Sequence, residues 1–308
     1  MLSGNEDSGR EGKSNFLSVC LGRRAAGAVH SCFANGLNVQ FGDWLLFIGC
    51  GGAQLSACGL HVTAARLRPL LAVVDRGDIV VCKDGVFRFY SGSGVLTLGF
   101  GDVAEVDLRL PRICCERGRI ADSGLYRQLA GVDFARGIGL ELDAAAQTGL
   151  EQLAAADKSD YRRNSQLINF FIGRGRGLTP SGDDILLGFT LVLLLFGEFA
   201  DWRRALSGAI AGDKTTLVSA TALRALLCGY CGEALLQLAR LLDGADSAAI
   251  DSAIRAARAY GHTSGTDSVF GFFIGLTFLA GPVAGAAAAR QPGWLINMER
   301  GMVYGNHG

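Results

Sequence analysis

The sequence predicts an α+β protein, in which a small N-terminal β barrel or sandwich precedes a mainly α-helical domain. Short strand-like segments joined by turn signals occupy the first third of the 308 residues. After Pro111, alanine, leucine and arginine replace the β-branched and aromatic residues, as is typical of helices. Apolar residues make up 49% of the chain, which is enough to build a core at this length.

The strand-like segments are apolar-rich and separated by dipeptides that favour tight turns, such as Asn35-Gly36 and Asp84-Gly85. The predicted strands cover residues 28–33, 37–41, 44–48, 79–82, 86–90 and 95–100. We assign residues 15–112 to a β-rich domain. Residues 1–14 are polar and lack an apolar signal segment, so we expect a disordered tail there.

Residues 113–308 are expected to form the helical domain, which carries the main motifs. Helices are predicted near residues 142–157, 182–200, 201–211, 215–228, 230–243, 247–260 and 266–280. The uncharged stretch 269–289 reaches membrane-spanning length, but Gly281-Pro282 should end the helix, so a buried central helix is predicted. Residues 161–165 are interpreted as a solvated turn, and no internal repeat is evident.

Charge and cysteine content limit the partners of the protein. Lys+Arg and Asp+Glu both number 29, so the net charge of zero gives no general attraction for nucleic acid. The nine cysteines are an odd number without a secretory signal, which predicts mostly buried thiols in a reducing cytoplasm. We therefore expect a cytoplasmic protein with neither nucleic acid nor a membrane as partner.

The most informative motif is Gly-Arg-Gly-Arg-Gly-Leu-Thr-Pro-Ser-Gly-Asp-Asp at residues 173–184. Glycines let backbone N–H groups turn toward a ligand, and the start of the following helix favours a phosphate or carboxylate. Helix capping by Ser181 or Asp183 would explain the small polar residues but not the two interleaved arginines. We therefore predict a site for a small anion. Its candidate binding residues are Arg174, Gly175, Arg176, Gly177, Thr179, Ser181 and Gly182.

The paired carboxylates of this motif leave three interpretations open. Asp183 and Asp184 are candidate magnesium ligands that bridge a metal to the ligand oxygens. One of them is alternatively a general base, or both offset the dipole of the helix. No cofactor is certain from the sequence, and magnesium is the one candidate.

Two further hydroxyl-rich segments precede predicted helices. Residues 261–268, Gly-His-Thr-Ser-Gly-Thr-Asp-Ser, contain His262 and Asp267 as candidate acid–base groups, although a histidine beside a helix end is often a cap or a packed residue. Residues 213–219 are explained by capping when taken alone. Three such helix starts predict one shared polar pocket. Its additional binding residues are Thr215, Thr216, Thr263, Ser264 and Gly265.

These three motifs, in this order and spacing, resemble a bacterial family long described as a domain of unknown function. Its members include a subunit of oxamate carbamoyltransferase, from anaerobic allantoin catabolism. The eight-residue run 177–184 is the most specific part, and the resemblance covers most of the helical half. The family pattern often has proline at the position of Arg176. The sequence also lacks the Ser-Thr-Arg-Thr phosphate motif of ordinary carbamoyltransferases.

The resemblance implies carbamoyl transfer, in which oxamate and carbamoyl phosphate interconvert with oxalurate and phosphate. On that model the backbone of residues 175–182 holds phosphate, and Arg174 or Arg176 stabilises the leaving group. His262 or an aspartate assists proton transfer at the amide nitrogen. The resemblance further implies a transferase of more than one kind of subunit, so the expected partners are a small anionic ligand and other subunits.

Two other functions remain open from the sequence. Asp183-Asp184 and Thr266-Asp267-Ser268 are similar to the metal-binding pairs of the helical ADP-ribosylglycohydrolases, which would imply a magnesium-dependent hydrolase of a phosphorylated or ADP-ribose-type substrate. The chain would alternatively be a non-catalytic anion-binding subunit, which binds its ligand tightly without turnover.

Overall fold

The computed structural model describes residues 10–22, 24–50, 54–155, 157–197 and 199–281. The chain divides into two compact units, of which the first contains Met1–Arg109 together with Tyr230–Glu233. The second contains Leu110–Gly229 and Ala234–Gly308. An N-terminal curled sheet, shaped as a half-barrel and followed by helices, confirms the predicted α+β class. No helix in the described ranges is long and apolar enough to cross a membrane.

The first unit is built on one nine-stranded sheet, with strand order β8-β7-β6-β2-β3-β4-β5-β1-β9. Its strands are β1 (Gly12–Ser14), β2 (Arg24–Phe33), β3 (Gly36–Phe41), β4 (Trp44–Gly49), β5 (Gly59–His61), β6 (Ile79–Lys83), β7 (Val86–Ser91), β8 (Gly94–Gly99) and β9 (Glu105–Val106). Two short helices, α1 (Leu17–Leu21) and α2 (Ala64–Leu71), complete the unit. All six predicted strands are confirmed.

Local turn chemistry sets the sheet register. β6 and β7 pair as an antiparallel hairpin, in which Lys83 lies opposite Val86. Asp84 and Gly85 between them have φ values of 51° and 75°, as a tight hairpin turn requires. The inward residues Phe87 and Phe89 of β7 are fully buried. Residues 1–9 of the expected tail lie outside the described residues, whereas residues 12–14 form β1.

The second unit consists of helices around a central pair. Its helices are α3 (Gly124–Ala130), α4 (Ala144–Ala155), α5 (Tyr161–Phe171), α6 (Ser181–Phe196), α7 (Ala200–Ile210), α8 (Leu217–Leu227), α9 (Glu233–Arg240), α10 (Ser247–Arg258) and α11 (Ser264–Ala280). Short 3-10 helices cover Arg117–Asp122 and Leu241–Asp243. The described part of the predicted central helix, α11, is almost entirely buried over its first three turns. It ends before Gly281, as predicted, and the rest of stretch 269–289 lies outside the described residues.

One predicted loop is a helix. Residues 161–165, interpreted as a surface turn, form the first half of α5. The side chain of Asp160 caps this helix by accepting hydrogen bonds from the backbone N–H groups of Arg162 and Arg163, at 2.8 and 3.2 Å. Buried Leu167, Ile168 and Phe171 then fix its inner face. Tyr161, Arg162 and Arg163 are exposed on its first turn, which explains their polar character.

Candidate functional site

The glycine-rich segment folds as a loop, residues 173–180, between α5 and α6. Gly173, Gly175 and Gly177 have φ values of 73°, 127° and 91°, which residues other than glycine rarely adopt. A Cβ at Gly173 would collide with the carbonyl oxygen of Lys214, and one at Gly175 would lie 2.6 Å from the backbone nitrogen of Ser181. The loop therefore requires glycine for both conformation and space.

Backbone donors of this loop remain available for a ligand. The N–H groups of Gly175, Gly177 and Thr179 donate no hydrogen bond to another described residue. The loop closes on the start of α6, because the N–H of Gly182 donates to the carbonyl oxygen of Arg174 at 2.8 Å. Free amides beside a helix N-terminus form a concave site that suits an anion.

The two arginines of the loop have different environments. The guanidinium of Arg174 donates to Asp143 at 2.8 Å and lies over the ring of Phe170, 4.4 Å from its centroid. Arg176 is exposed. Arg174 therefore braces the loop, whereas the side chain of Arg176 is the more accessible of the two to an anion in solution.

Asp183 ties the loop to the start of α8. One oxygen of its carboxylate accepts from the N–H of Gly173 at 2.7 Å, and the other accepts from the hydroxyl of Thr215. Burial raises the pKa of Asp183, and the hydrogen bonds from Thr215 and Gly173 oppose that change. Thr216 caps α8 by accepting from the N–H of Ser219 at 3.1 Å, while its hydroxyl donates to the carbonyl oxygen of Leu178. The first and third motifs are thus joined.

Helices α6 and α11 share a short internal repeat. Each begins with Ser-Gly-X-Asp and carries a further glycine four residues later, at Gly188 and Gly271. A Cβ at Gly188 would collide with the carbonyl oxygen of Ser268, and one at Gly271 would collide with that of Ile185. Residues 185 and 268 are equivalent in the repeat, so the contacts are reciprocal. The expectation of no internal repeat was wrong, since an eight-residue pattern is too short to stand out.

The same reciprocity holds at the N-terminal ends of the two helices. Hydrogen bonding from Ser264 of α11 acts to lower the pKa of Asp184 in α6. Hydrogen bonding from Ser181 of α6 acts in the same direction on the pKa of Asp267 in α11. Thr179 and Ser264 also share a hydrogen bond between their hydroxyls. The structure therefore brings the first and second motifs into one polar cluster, in which each aspartate faces the serine of the opposite helix.

Both aspartates of this cluster are buried, with exposed fractions of 7% for Asp184 and zero for Asp267. Burial raises the pKa of Asp184 well above its ordinary value, and the nearby charges of Asp267 and Asp183 raise it further. Burial likewise raises the pKa of Asp267 to about 6. The burial of both carboxylates and the charge of Asp267 near Asp184 therefore favour the protonated forms of the pair.

One oxygen of each aspartate has no partner. Oδ1 of Asp267 accepts from the N–H of Gly139 at 2.9 Å. Oδ2 of Asp267 and Oδ2 of Asp184 are buried without a hydrogen bond from any described residue. The neighbouring hydroxyls lie close enough to favour the charged forms, yet none meets these two atoms with hydrogen-bond geometry. A buried acceptor without a donor is costly, so such atoms mark a site for one.

Two residues near the cluster, Gly139 and Tyr260, were not predicted from the sequence. A Cβ at Gly139 would collide with the hydroxyls of Ser181 and Thr263, so this glycine forms one wall of the cluster. Tyr260 is 42% exposed as a residue, yet burial around its hydroxyl and the charge of Asp184 raise its pKa. Neither lies in a motif, although the glycines at 137 and 139 were a readable signal of close backbone approach.

The remaining predicted site residues lie at the edges of the cluster. His262 is exposed in the turn that precedes α11. Gly265 packs against the end of α10, where a Cβ would collide with the carbonyl oxygen of Ala257. In the part of the chain that the structure describes, no three His, Cys, Asp or Glu side chains are grouped to hold a metal ion. The predicted magnesium ligands Asp183 and Asp184 therefore have no third partner of these types there.

No solved structure matches this chain. Residues 171–276 match the profile of a protein family described as oxamate carbamoyltransferase subunit AllH. The matched segment runs from the end of α5 into α11 and includes the glycine loop, the start of α8 and both aspartates with unpartnered oxygens. This segment of the chain is therefore similar to the family that includes the oxamate carbamoyltransferase subunit AllH.

Proposed function

We propose that this chain is a subunit of an oxamate carbamoyltransferase and that it binds a small anionic substrate, such as carbamoyl phosphate, oxamate or oxalurate, beside the glycine loop. One observation carries the proposal. The N-termini of two buried helices, α6 and α11, meet next to a loop with available backbone amides, and the whole arrangement lies inside the matched segment. Helix N-termini and free amides stabilise anions such as phosphate and carboxylate.

The residues of the site take different roles in this proposal. The amides of Gly175, Gly177 and Thr179, with Arg176, hold the phosphate or carboxylate and stabilise charge on the phosphate as it leaves. Asp183 is a positioning residue, because both of its oxygens already hold the loop and Thr215 in place. His262 is exposed at the rim, so it exchanges protons with a bound ligand from the solvent side.

Isothermal titration of the full chain with carbamoyl phosphate tests the site directly. Arg176→Gln should weaken binding about 10-fold, because one charge-assisted hydrogen bond contributes about 1.5 kcal/mol. Arg162→Gln removes an exposed arginine from α5, outside the motif, and should leave the affinity unchanged. If carbamoyl phosphate, oxamate and inorganic phosphate all fail to bind, with and without magnesium, the site proposed here is wrong.

Turnover decides between the catalytic and the non-catalytic subunit. The complete enzyme, assembled with its partner subunits, should convert oxalurate and phosphate into oxamate and carbamoyl phosphate. Arg176→Gln in this chain should lower that rate. An unchanged rate, together with weaker binding, would assign the chain a binding role. We place the enzyme in the reducing cytoplasm, in line with the absence of a disulfide among its nine cysteines, all of which lie in the described residues.

A further inference from the structure

We propose that Asp184 and Asp267 form an amide-recognition pair, in which their two unpartnered oxygens accept the N–H hydrogens of a carbamoyl or primary amide group on the ligand. This inference rests on the proposed function, because it assigns the uncharged end of the substrate whose charged end contacts the glycine loop.

The burial of the two oxygens is the first argument. Oδ2 of Asp184 and Oδ2 of Asp267 are both inaccessible and without a donor among the described residues. The residues themselves are at least nine-tenths buried, so solvent does not replace the missing donors. Leaving such an acceptor without a partner costs about 1–3 kcal/mol, a cost that a ligand with matching donors removes on binding.

The reciprocal arrangement of the helices is the second argument. The two aspartates occupy the same position of the Ser-Gly-X-Asp repeat in α6 and α11, and Asp267 lies close enough for its charge to raise the pKa of Asp184. The two helices therefore contribute one equivalent acceptor each to the same polar cluster. A planar –NH₂ group has two N–H donors that point in different directions, so each carboxylate can accept one of them.

The charge balance favours a neutral donor over a cation. Each helix N-terminus contributes about half a positive charge, so α6 and α11 together offset about one carboxylate charge. The described residues also provide no group of three metal-binding side chains here. A site whose carboxylate charge is partly offset and that is rich in acceptors suits an amide better than a metal ion.

The test compares isosteric ligands that differ only in the N–H donors. Acetyl phosphate replaces the –NH₂ of carbamoyl phosphate with methyl, and pyruvate does the same for oxamate. Titration of the full chain should show carbamoyl phosphate binding on the order of 100-fold more tightly than acetyl phosphate, because unpaired buried acceptors reject the methyl isostere. Oxamate should be preferred over pyruvate in the same sense.

Two kinds of variant make the test specific. Asp184→Asn and Asp267→Asn should each reduce the preference for the amide ligand to below about 10-fold, without weakening the binding of acetyl phosphate. Arg176→Gln should weaken carbamoyl and acetyl phosphate alike and so keep the preference. Thermal melts establish that each variant is folded.

The outcomes separate this inference from the proposed function. Equal affinity for amide and methyl ligands would refute amide recognition and leave the anion site standing. A preference that exists only in the presence of magnesium would also refute it, since the carboxylates would then hold a cation. If none of the four ligands binds, the proposed function fails and the amide-recognition pair fails with it.

Discussion

Lys158 lies in the core of the helical unit and makes stability depend on pH in a predictable direction. Its side chain is buried, with an exposed residue fraction of 2%. The ammonium lies 4.5 Å from the ring centroid of Phe278 and 5.5 Å from that of Phe189. Burial, together with the smaller effect of the charge of Arg163, lowers the pKa of Lys158 from 10.5 to about 7.

The sign of the effect follows from the two pKa values. An unfolded lysine holds its proton up to pH 10.5, whereas folded Lys158 releases it above about pH 7. Because the unfolded state binds more protons between these values, the stability of the folded state rises with pH over that interval. The difference corresponds to about 5 kcal/mol at most, of which about 3 kcal/mol should be regained between pH 7 and pH 10.

Lys158→Met isolates this contribution, because methionine keeps a flexible chain without the charge. Urea unfolding, followed by far-UV circular dichroism, should show the variant more stable than the wild type by about 4 kcal/mol at pH 7 and by less than about 1 kcal/mol at pH 10. Lys83→Met, at an exposed strand end, serves as the control and should show no such trend. A stability difference for Lys158→Met that stays constant with pH would refute the reasoning.

Two further predictions concern the central helix pair. Gly188→Ala should lower the free energy of unfolding by about 1–3 kcal/mol because its methyl group would collide with the carbonyl of Ser268, as urea unfolding would show. Gly208→Ala, in open space on α7, should instead stabilise by up to about 1 kcal/mol, and equal effects would contradict the close packing. Asp267→Asn should raise stability at pH 8 by up to about 3 kcal/mol, because a folded pKa of about 6 against 3.8 makes the wild type lose stability as pH rises between those values. Its advantage should vanish at pH 4, and a gain that persists there would show that the pKa of Asp267 is not its origin.

Local signals in the sequence were sufficient for the elements that they specify. The Asp84-Gly85 turn and the alternation of Phe87 and Phe89 predicted the hairpin of β6 and β7. Gly281 predicted the end of α11. These features depend on residues within a few positions of each other, where turn and capping preferences act.

Elements that depend on distant partners were not predictable in this way. β1, β5 and β9 contain only two or three residues each, and β1 pairs with β5 and β9 across long stretches of chain. Their sequence carries too little periodicity to distinguish a strand from a loop. The first turn of α5 was missed for a different reason, because its cap at Asp160 is adjacent to charged residues that suggested an exposed turn.

The three motifs were found in the sequence as separate helix starts, and the expected pocket depended on their convergence. The structure brings the first and second motifs together through the Thr179–Ser264 hydrogen bond and the first and third through Asp183 and Thr215. The sequence places Asp184 and Asp267 at the same position of the Ser-Gly-X-Asp pattern, but only the packing of α6 against α11 shows that they belong to one cluster. Asp183 and Asp184 are neighbours in sequence, yet both carboxylate oxygens of Asp183 accept hydrogen bonds, whereas Oδ2 of Asp184 accepts none from the described residues.

The glycines that pack the central helices also contribute to the raised pKa values of the site. Reciprocal contact at Gly188 and Gly271 lets α6 and α11 approach closely, and this approach removes Asp184 and Asp267 from water. Larger residues at those glycines would separate the helices, hydrate the carboxylates and lower their pKa values toward the ordinary range. The raised pKa of each aspartate is therefore a measure of helix packing. A ligand that donates N–H groups would supply the hydrogen bonds that Oδ2 of Asp184 and Oδ2 of Asp267 lack. Binding should therefore raise the melting temperature of the wild type more than that of the Asp184→Asn or Asp267→Asn variant.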